Sequence, residues 1–360
     1  MNTSFQPIIK LTNICNLNCD YCYLKETLHD RYYPDFMPTT ILEKVIFKTI
    51  DFNFQKGNKE VNVCFHGGEP TLYDISTLKD TLRNVNKHID KRCIKVNYSL
   101  QTNGIELSDS LIEISKEFNI NLGVSIDGPL ELNSHYRGSE NLTARIIKNI
   151  ESLNKSNISF GVLSVISDIH DKKAKELYDF YLENNIKSIG LLKNFNKNYI
   201  VNNEILGGFL IDLFDFFYYG EAELDIREFN NAILNILSED GCGVCSMSYR
   251  KSCGNYFTVA TNGDVHFCDD KIEPSEALIN IDNNDISDIF IQEKFLEKRR
   301  NSQNFLKKCI NCDVYSICRG GCYRHDVLGE NLFCEAYRVF YRHINNIIKK
   351  EISNGNSKRT

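Results

Sequence analysis

The chain has 360 residues, 42% of them apolar, fourteen cysteines and a formal net charge of −6. That length suits two domains, or one barrel with an appendage, and the apolar share is enough for a sizeable core. The acidic balance argues against a nucleic-acid partner.

In chain order, the N-terminus MNTSFQPIIKLTN has neither the basic nor the apolar region of a secretory signal. Apolar, β-rich runs then fall at Pro7–Leu11, Val61–Phe65, Ile94–Leu100, Asn121–Ile126, Ile158–Ile166 and Ser188–Leu192. Helical patterns separate them at 40–55, 75–91, 108–118, 141–156 and 171–184, and a sixth covers 203–219. Thr40 and Glu43 have the spacing of a capping box for the first helix. The stretch ILGGFLIDLFDFFYY at 205–219 holds Asp212 and Asp215 and is too short to span a bilayer. A cytoplasmic protein without a membrane partner is expected.

Six strands each followed by a helix predict a parallel sheet, and six units rather than eight predict a partial (β/α)6 TIM-like barrel over 1–235. From about 236 the pattern changes to a cysteine-rich segment, with a hairpin turning at Asn262-Gly263, a short helical run near 287–300 and a last helix over roughly 334–350. This predicts a second domain over 236–345 and a polar tail over 346–360, disordered from Ser353.

Unusual loops follow the first four strands: CNLNCDYC, HGGEP (66–70), QTNG (101–104) and SIDGP (125–129). Ligands of parallel α/β folds bind at the carboxyl ends of strands, so these loops mark a candidate site.

The cysteines are clustered: three at 15–22, three at 242–253 and five at 309–334, with Cys268 between. In a cytosolic chain, clusters of this kind point to metal or iron–sulfur binding rather than disulfides. Cys15, Cys19 and Cys22 are spaced C-x3-C-x2-C. Three thiolates so placed can cap three corners of one [4Fe–4S] cube and leave the fourth iron open. A zinc site completed by a distant ligand such as His29 is the plainer alternative. Cys64 lies inside a strand and reads as a packed thiol.

The triplet after the first strand, the GGEP loop after the second, and the six β/α units resemble the radical S-adenosylmethionine (radical SAM) enzymes. The resemblance implies that SAM chelates the open iron and is cleaved to a 5′-deoxyadenosyl radical, which takes a hydrogen atom from the substrate. It implies SAM contacts for Tyr21, through its backbone, for the glycines Gly67 and Gly68, and for Glu69, Ser125, Arg137 and Phe195.

Cys253, Gly263 and Cys268, followed by CINCDVYSICRGGC and Cys334, resemble the seven-cysteine SPASM domain of peptide- and protein-modifying members. That implies two auxiliary [4Fe–4S] clusters, three clusters in all. One would use Cys253, Cys268, Cys322 and an upstream cysteine, Cys245 or its rival Cys242. The other would use Cys309, Cys312, Cys318 and Cys334. Asp269, directly after a ligand, matches the base of anaerobic sulfatase-maturating enzymes, with a raised pKa expected from burial.

The resemblance covers nearly the whole chain, but His66 stands where sulfatase maturases carry glutamine. The leading expectation is therefore an enzyme that oxidises or crosslinks a ribosomally made peptide, drawing electrons from a donor such as flavodoxin or ferredoxin. Oxidation of a sulfatase Cys or Ser to formylglycine is the alternative. A non-catalytic iron–sulfur electron carrier or a zinc protein is the alternative of another class.

Overall fold

A computed structural model describes residues 4–89, 94–196, 199–238, 245–247, 250, 252–269, 272–304 and 306–354. Cys93, Cys242, Asp270 and residues 355–360 of the expected tail lie outside the described residues.

The elements run β1 (Gln6–Thr12), α1 (Thr39–Gln55), β2 (Glu60–Gly67), α2 (Ile75–Ile89), β3 (Lys95–Thr102), α3 (Asp109–Phe118), β4 (Asn121–Ser125), α4 (Leu130–Arg137), α5 (Glu140–Ser156), β5 (Phe160–Ile166), α6 (Ala174–Glu183), β6 (Ser188–Lys193), α7 (Asn203–Tyr219), β7 (Asp225–Ile226) and α8 (Arg227–Leu237). They continue as β8 (Tyr256–Val259), β9 (Asp264–His266), β10 (Ile279–Asn280), α9 (Ile286–Ile289), α10 (Glu293–Ser302), α11 (Tyr315–Cys318), β11 (Asp326–Val327), β12 (Glu330–Asn331) and α12 (Cys334–Ser353). All six expected β/α units are present, and the chain has the expected α/β architecture.

Local chemistry sets many of the boundaries. Ser108 and Ser139 cap α3 and α5 by accepting the N–H of Leu111 and Leu142, and Asn119 and Asn157 end them in the left-handed region. The expected capping box at Thr40 does not form. Helix α1 starts one residue earlier behind Pro38, so Thr40 is already inside the helix.

Two compact units divide the chain. The first holds residues 1–126, 133–161 and 254–300. Its strands lie in the order β10-β9-β8-β1-β2-β3-β4, parallel from β8 to β4 and antiparallel across β8, β9 and β10. The β8–β9 hairpin turns at Gly263, whose φ of 88° suits glycine. One face of the sheet is apolar. Ile9, Leu11, Val61, Val63 and Phe65 are buried there, and Leu42, Val45, Ile46 and Ile50 of α1 are buried alongside. Each such side chain contributes about 1.5–3 kcal/mol. The alternate residues of the same strands, among them Lys10, His66 and Thr258, give the other face its polar character.

The second unit holds residues 127–132, 162–253 and 301–360. Strands β5, β6 and β7 are parallel. Helix α7 packs against α6 and α12, and its Phe214 and Phe217 form an aromatic cluster with Phe229 of α8 and Phe340 of α12. Helix α12 continues to Ser353, past the start of the polar tail expected at 346. Among the described residues, no helix is long and apolar enough to cross a membrane.

Candidate active site

The loop after β1 carries the first cysteines, and the GGEP loop after β2 presses on it. Gly68 donates its N–H to Thr12 O and Glu69 donates to Ile14 O, both at 2.9 Å. A Cβ on Gly68 would lie 2.0 Å from Ile14 O, and one on Gly67 would lie 2.3 Å from Thr12 O. Only glycine lets the two backbones meet this closely. The buried Glu69 carboxylate accepts from Thr71 N, Thr102 Oγ1 at 2.7 Å and Asn103 N at 2.7 Å, which ties the GGEP loop to the QTNG turn. Asn103 in turn holds Asn16 and reaches Cys15 Sγ at 4.0 Å.

Cys15, Cys19 and Cys22 are all partly exposed. Burial pushes the Cys15 thiol up, and the charges of Glu69 and Cys22 add to the effect against the Leu17 N–H. Between the last two cysteines, Tyr21 accepts a hydrogen bond from Arg137 Nη1 at 3.0 Å, and Asp20 N–H donates to Tyr136 O. The structure therefore brings the cysteine loop and the arginine at the end of α4 together. Ser125 accepts from Gln101 Nε2 at 2.8 Å. Phe195 follows β6 in the second unit, 42% exposed, with its ring centroid 5.0 Å from that of His325.

Asp269 sits in a buried polar network of the first unit. Its carboxylate contacts Lys10 Nζ at 2.6 Å, Tyr23 Oη at 2.9 Å and Thr258 Oγ1 at 3.1 Å. The expected rise in its pKa is not found. Burial does push it up, but the charges of Lys10 and His66 and the hydrogen bonds outweigh burial and hold the group at about 2. Burial, helped by the Lys10 charge, lowers His66 to about 4, so its ring is neutral near pH 7. Burial, then the Asp269 charge, raises Tyr23 well above its ordinary range. The sequence reading missed Lys10, Tyr23 and Thr258. The signal available was a lone lysine in the otherwise apolar strand PIIKL.

In the second unit Cys309, Cys312, Cys318 and Cys334 line one cavity of about 250 Å³. Burial pushes the Cys318 thiol up to about 12, with Cys309, Cys334 and Cys312 raising it further against the Gly320 N–H. Four thiols so placed suit a cationic group that would take them as thiolates. The buried Arg250, also missed from sequence, lies within electrostatic reach of Cys309 and Cys322. It donates to Gly320 O, Gly321 O and Asn304 O, and forms a bidentate pair with Asp326 at 2.9 Å for both contacts. Burial raises the Cys309 and Cys322 thiols, and the Arg250 charge offsets part of that rise. Cys253 is buried and lies within electrostatic reach of Cys322. Cys245 opens a short turn over Cys245–Met247. Cys268 follows β9 in the first unit. Cys64 lies in β2 as expected and is partly buried, and desolvation raises its thiol. No disulfide links any of the described cysteines.

Comparison with known proteins decides the family. The radical SAM superfamily profile matches residues 9–181, and that of the SPASM iron–sulfur cluster-binding domain matches residues 252–313. The chain is a radical SAM protein with a SPASM domain. It is 27% identical to a cysteine-type anaerobic sulfatase-maturating enzyme of Clostridium novyi, over 91% of each chain. It is 26% identical to a serine-type anaerobic sulfatase-maturating enzyme of Bacteroides thetaiotaomicron, over 95% of this chain and 90% of the relative. The fold matches a solved structure of native anSMEcpe with bound AdoMet and Kp18Cys peptide. There the TM-score is 0.86 at 25% identity, over 98% of this chain and 99% of that one.

A radical SAM enzyme of this kind modifies a peptide or protein and uses SAM and [4Fe–4S] clusters, with the auxiliary clusters on the SPASM domain. The residues present fit these groups. The first thiols share a loop whose glycine-lined support no Cβ could enter, and the later four share one cavity.

Proposed function

We propose that this chain oxidises a Cys or Ser side chain in a peptide segment of a protein substrate to the aldehyde, as a sulfatase-type maturase. The near end-to-end match to both cysteine-type and serine-type maturases carries this reading. In it, Cys15, Cys19 and Cys22 hold the SAM-binding cluster. Arg137 meets the SAM carboxylate, Tyr21 and Ser125 flank the cofactor, Gly67 and Gly68 admit backbone contact, and Glu69 braces that cradle. Phe195 meets the adenine. Cys309, Cys312, Cys318 and Cys334 hold one auxiliary cluster. Cys253, Cys268 and Cys322 hold the other, with Cys245 as the fourth ligand.

When bound, these groups supply the radical that removes a hydrogen atom from the substrate carbon and a sink for the electron that leaves. Forming the double bond also requires loss of the hydroxyl or thiol proton. Asp269, ionised by Lys10, takes that proton; with a thiol, water then replaces sulfur and hydrogen sulfide leaves. The electron donor is a small reductant protein of the flavodoxin or ferredoxin class. A second reading, modification of a ribosomally made peptide, is favoured by His66 in the GGEP loop.

The test is anaerobic reconstitution with SAM, dithionite and sulfatase-derived peptides carrying Ser or Cys. The expected products are 5′-deoxyadenosine and a peptide aldehyde, read by mass spectrometry and hydrazide capture. A reconstituted enzyme that makes 5′-deoxyadenosine but no aldehyde on either peptide would overturn the maturase reading in favour of the second.

A further inference from the structure

Lys10 lies near the end of β1, and its side chain is 4% exposed. An ammonium has three protons and no acceptor. Three acceptors surround this one: Asp269 Oδ1 at 2.6 Å, Tyr23 Oη at 3.1 Å and His66 Nδ1 at 3.3 Å. They come from the segment after β9, the cysteine loop and the end of β2, so one cation joins three elements.

The proton positions follow. His66 Nδ1 faces two donors, Lys10 and the Gly67 N–H at 2.7 Å. A proton on Nδ1 would gain only the Gly67 carbonyl at 3.3 Å and would oppose both donors. The neutral ring therefore carries its proton on Nε2, which has no hydrogen-bond partner among the described residues. Tyr23 accepts from Lys10 and so donates to Asp269 Oδ2. Lys10 and Thr258 both reach Oδ1. Among the described residues, the one of a carboxylate's roughly four lone-pair directions left without a donor is on Oδ2.

We propose that Lys10 is a positioning residue of this site. It fixes Asp269 with one Oδ2 acceptor open and presets His66 as an Nε2–H donor. The pair is thus complementary to a substrate group that both gives and takes a hydrogen bond, a hydroxyl or a thiol. The inference rests on the reading of Asp269 as the base and adds the residue that orders the site and the donor that meets the substrate group.

The experiment measures aldehyde formed per 5′-deoxyadenosine on the Ser peptide, together with iron content and the electron paramagnetic resonance signal of the reduced SAM-binding cluster. Lys10→Met is expected to keep the iron and the signal while the ratio falls about tenfold, the loss of one charged hydrogen bond. Lys10→Arg, which still donates, recovers part of the ratio. His66→Leu raises the KM for peptide about tenfold, and His66→Gln, which retains an N–H, raises it less. An unchanged ratio in Lys10→Met overturns the proposal, and so does loss of the SAM-cluster signal, which would make Lys10 a structural post. If Lys10→Met does not accumulate, the two His66 variants decide, and equal KM values for Leu and Gln overturn the proposal. Asp269→Asn separates the two readings. A normal ratio there refutes Asp269 as base, whereas a collapsed ratio beside a normal Lys10→Met refutes the Lys10 inference alone.

Discussion

Cys15, Cys19 and Cys22 lie on a loop supported from outside, where the backbones of Thr12–Ile14 and Gly67–Glu69 meet at hydrogen-bond distance. Cys309, Cys312, Cys318 and Cys334 instead surround a cavity of about 250 Å³, and the Arg250–Asp326 pair ties the glycine link after Cys318. The first arrangement carries three thiols on a loop braced by main-chain contacts that only glycine permits. The second gathers four thiols around one cavity, with a buried cation near them. Under the proposed function, the site that admits a cofactor is built from glycine and main chain. A site that only holds a cluster can be built from side chains.

The sharpest way to break this comparison is to delete each set in turn. Cys15, Cys19 and Cys22 changed together to Ala should abolish 5′-deoxyadenosine formation yet leave roughly eight irons per chain. Changing Cys309, Cys312, Cys318 and Cys334 together should remove about four irons and leave SAM cleavage in place. Iron analysis and chromatography of the nucleoside check both. Equal losses of cleavage in the two variants would show that the two regions are not functionally distinct.

Arg250→Met tests the second region alone. It leaves the Asp326 carboxylate without its buried partner, which costs about 3–5 kcal/mol. The variant should lose auxiliary iron at lower denaturant than the wild type, while the SAM-binding cluster is lost at the usual concentration. Gly68→Ala tests the first region. Its Cβ would meet the Ile14 carbonyl at 2.0 Å, and this backbone has no rotamer with which to give way. A cost of about 1–3 kcal/mol is expected, together with a fall in SAM cleavage at constant auxiliary iron.

The two regions also differ in how far sequence exposes them. Cysteine spacing marked both groups of thiols, because cysteines close along a loop or repeated at short offsets stand out in the sequence itself. The strand–helix alternation gave all six β/α units, because burial imposes its period on the residues. Lys10 and Arg250 carry no such period. Each is one cation whose partners lie far along the chain: Asp269 for Lys10, Asp326 and the Gly320–Gly321 carbonyls for Arg250. Their meaning appears only when strand register sets Lys10 opposite His66, or when folding closes around the guanidinium. The low pKa of Asp269 was hidden for the same reason. Adjacency to Cys268 was visible in sequence, but the ammonium that holds the carboxylate ionised was not.

The smallest effect sharpens the claim that the open corner of the first region is a cofactor site. Tyr21 lies between two of its cysteines and accepts a hydrogen bond from Arg137, a guanidinium only 9% exposed. Tyr21→Phe keeps the ring and its packing against Tyr136, and it removes the hydroxyl that accepts from Arg137. A hydrogen bond to a charged group is worth about 1.5–3 kcal/mol, so the arginine should lose its fixed orientation without the fold being lost. If Arg137 meets the SAM carboxylate, the KM for SAM should rise about tenfold while iron content and the maximal rate stay near wild type, because the cluster and the chemistry are untouched. A fall in iron at constant KM would instead make the Tyr21–Arg137 contact a brace for the cysteine loop. The first region would then resemble the second in being held by a buried cation.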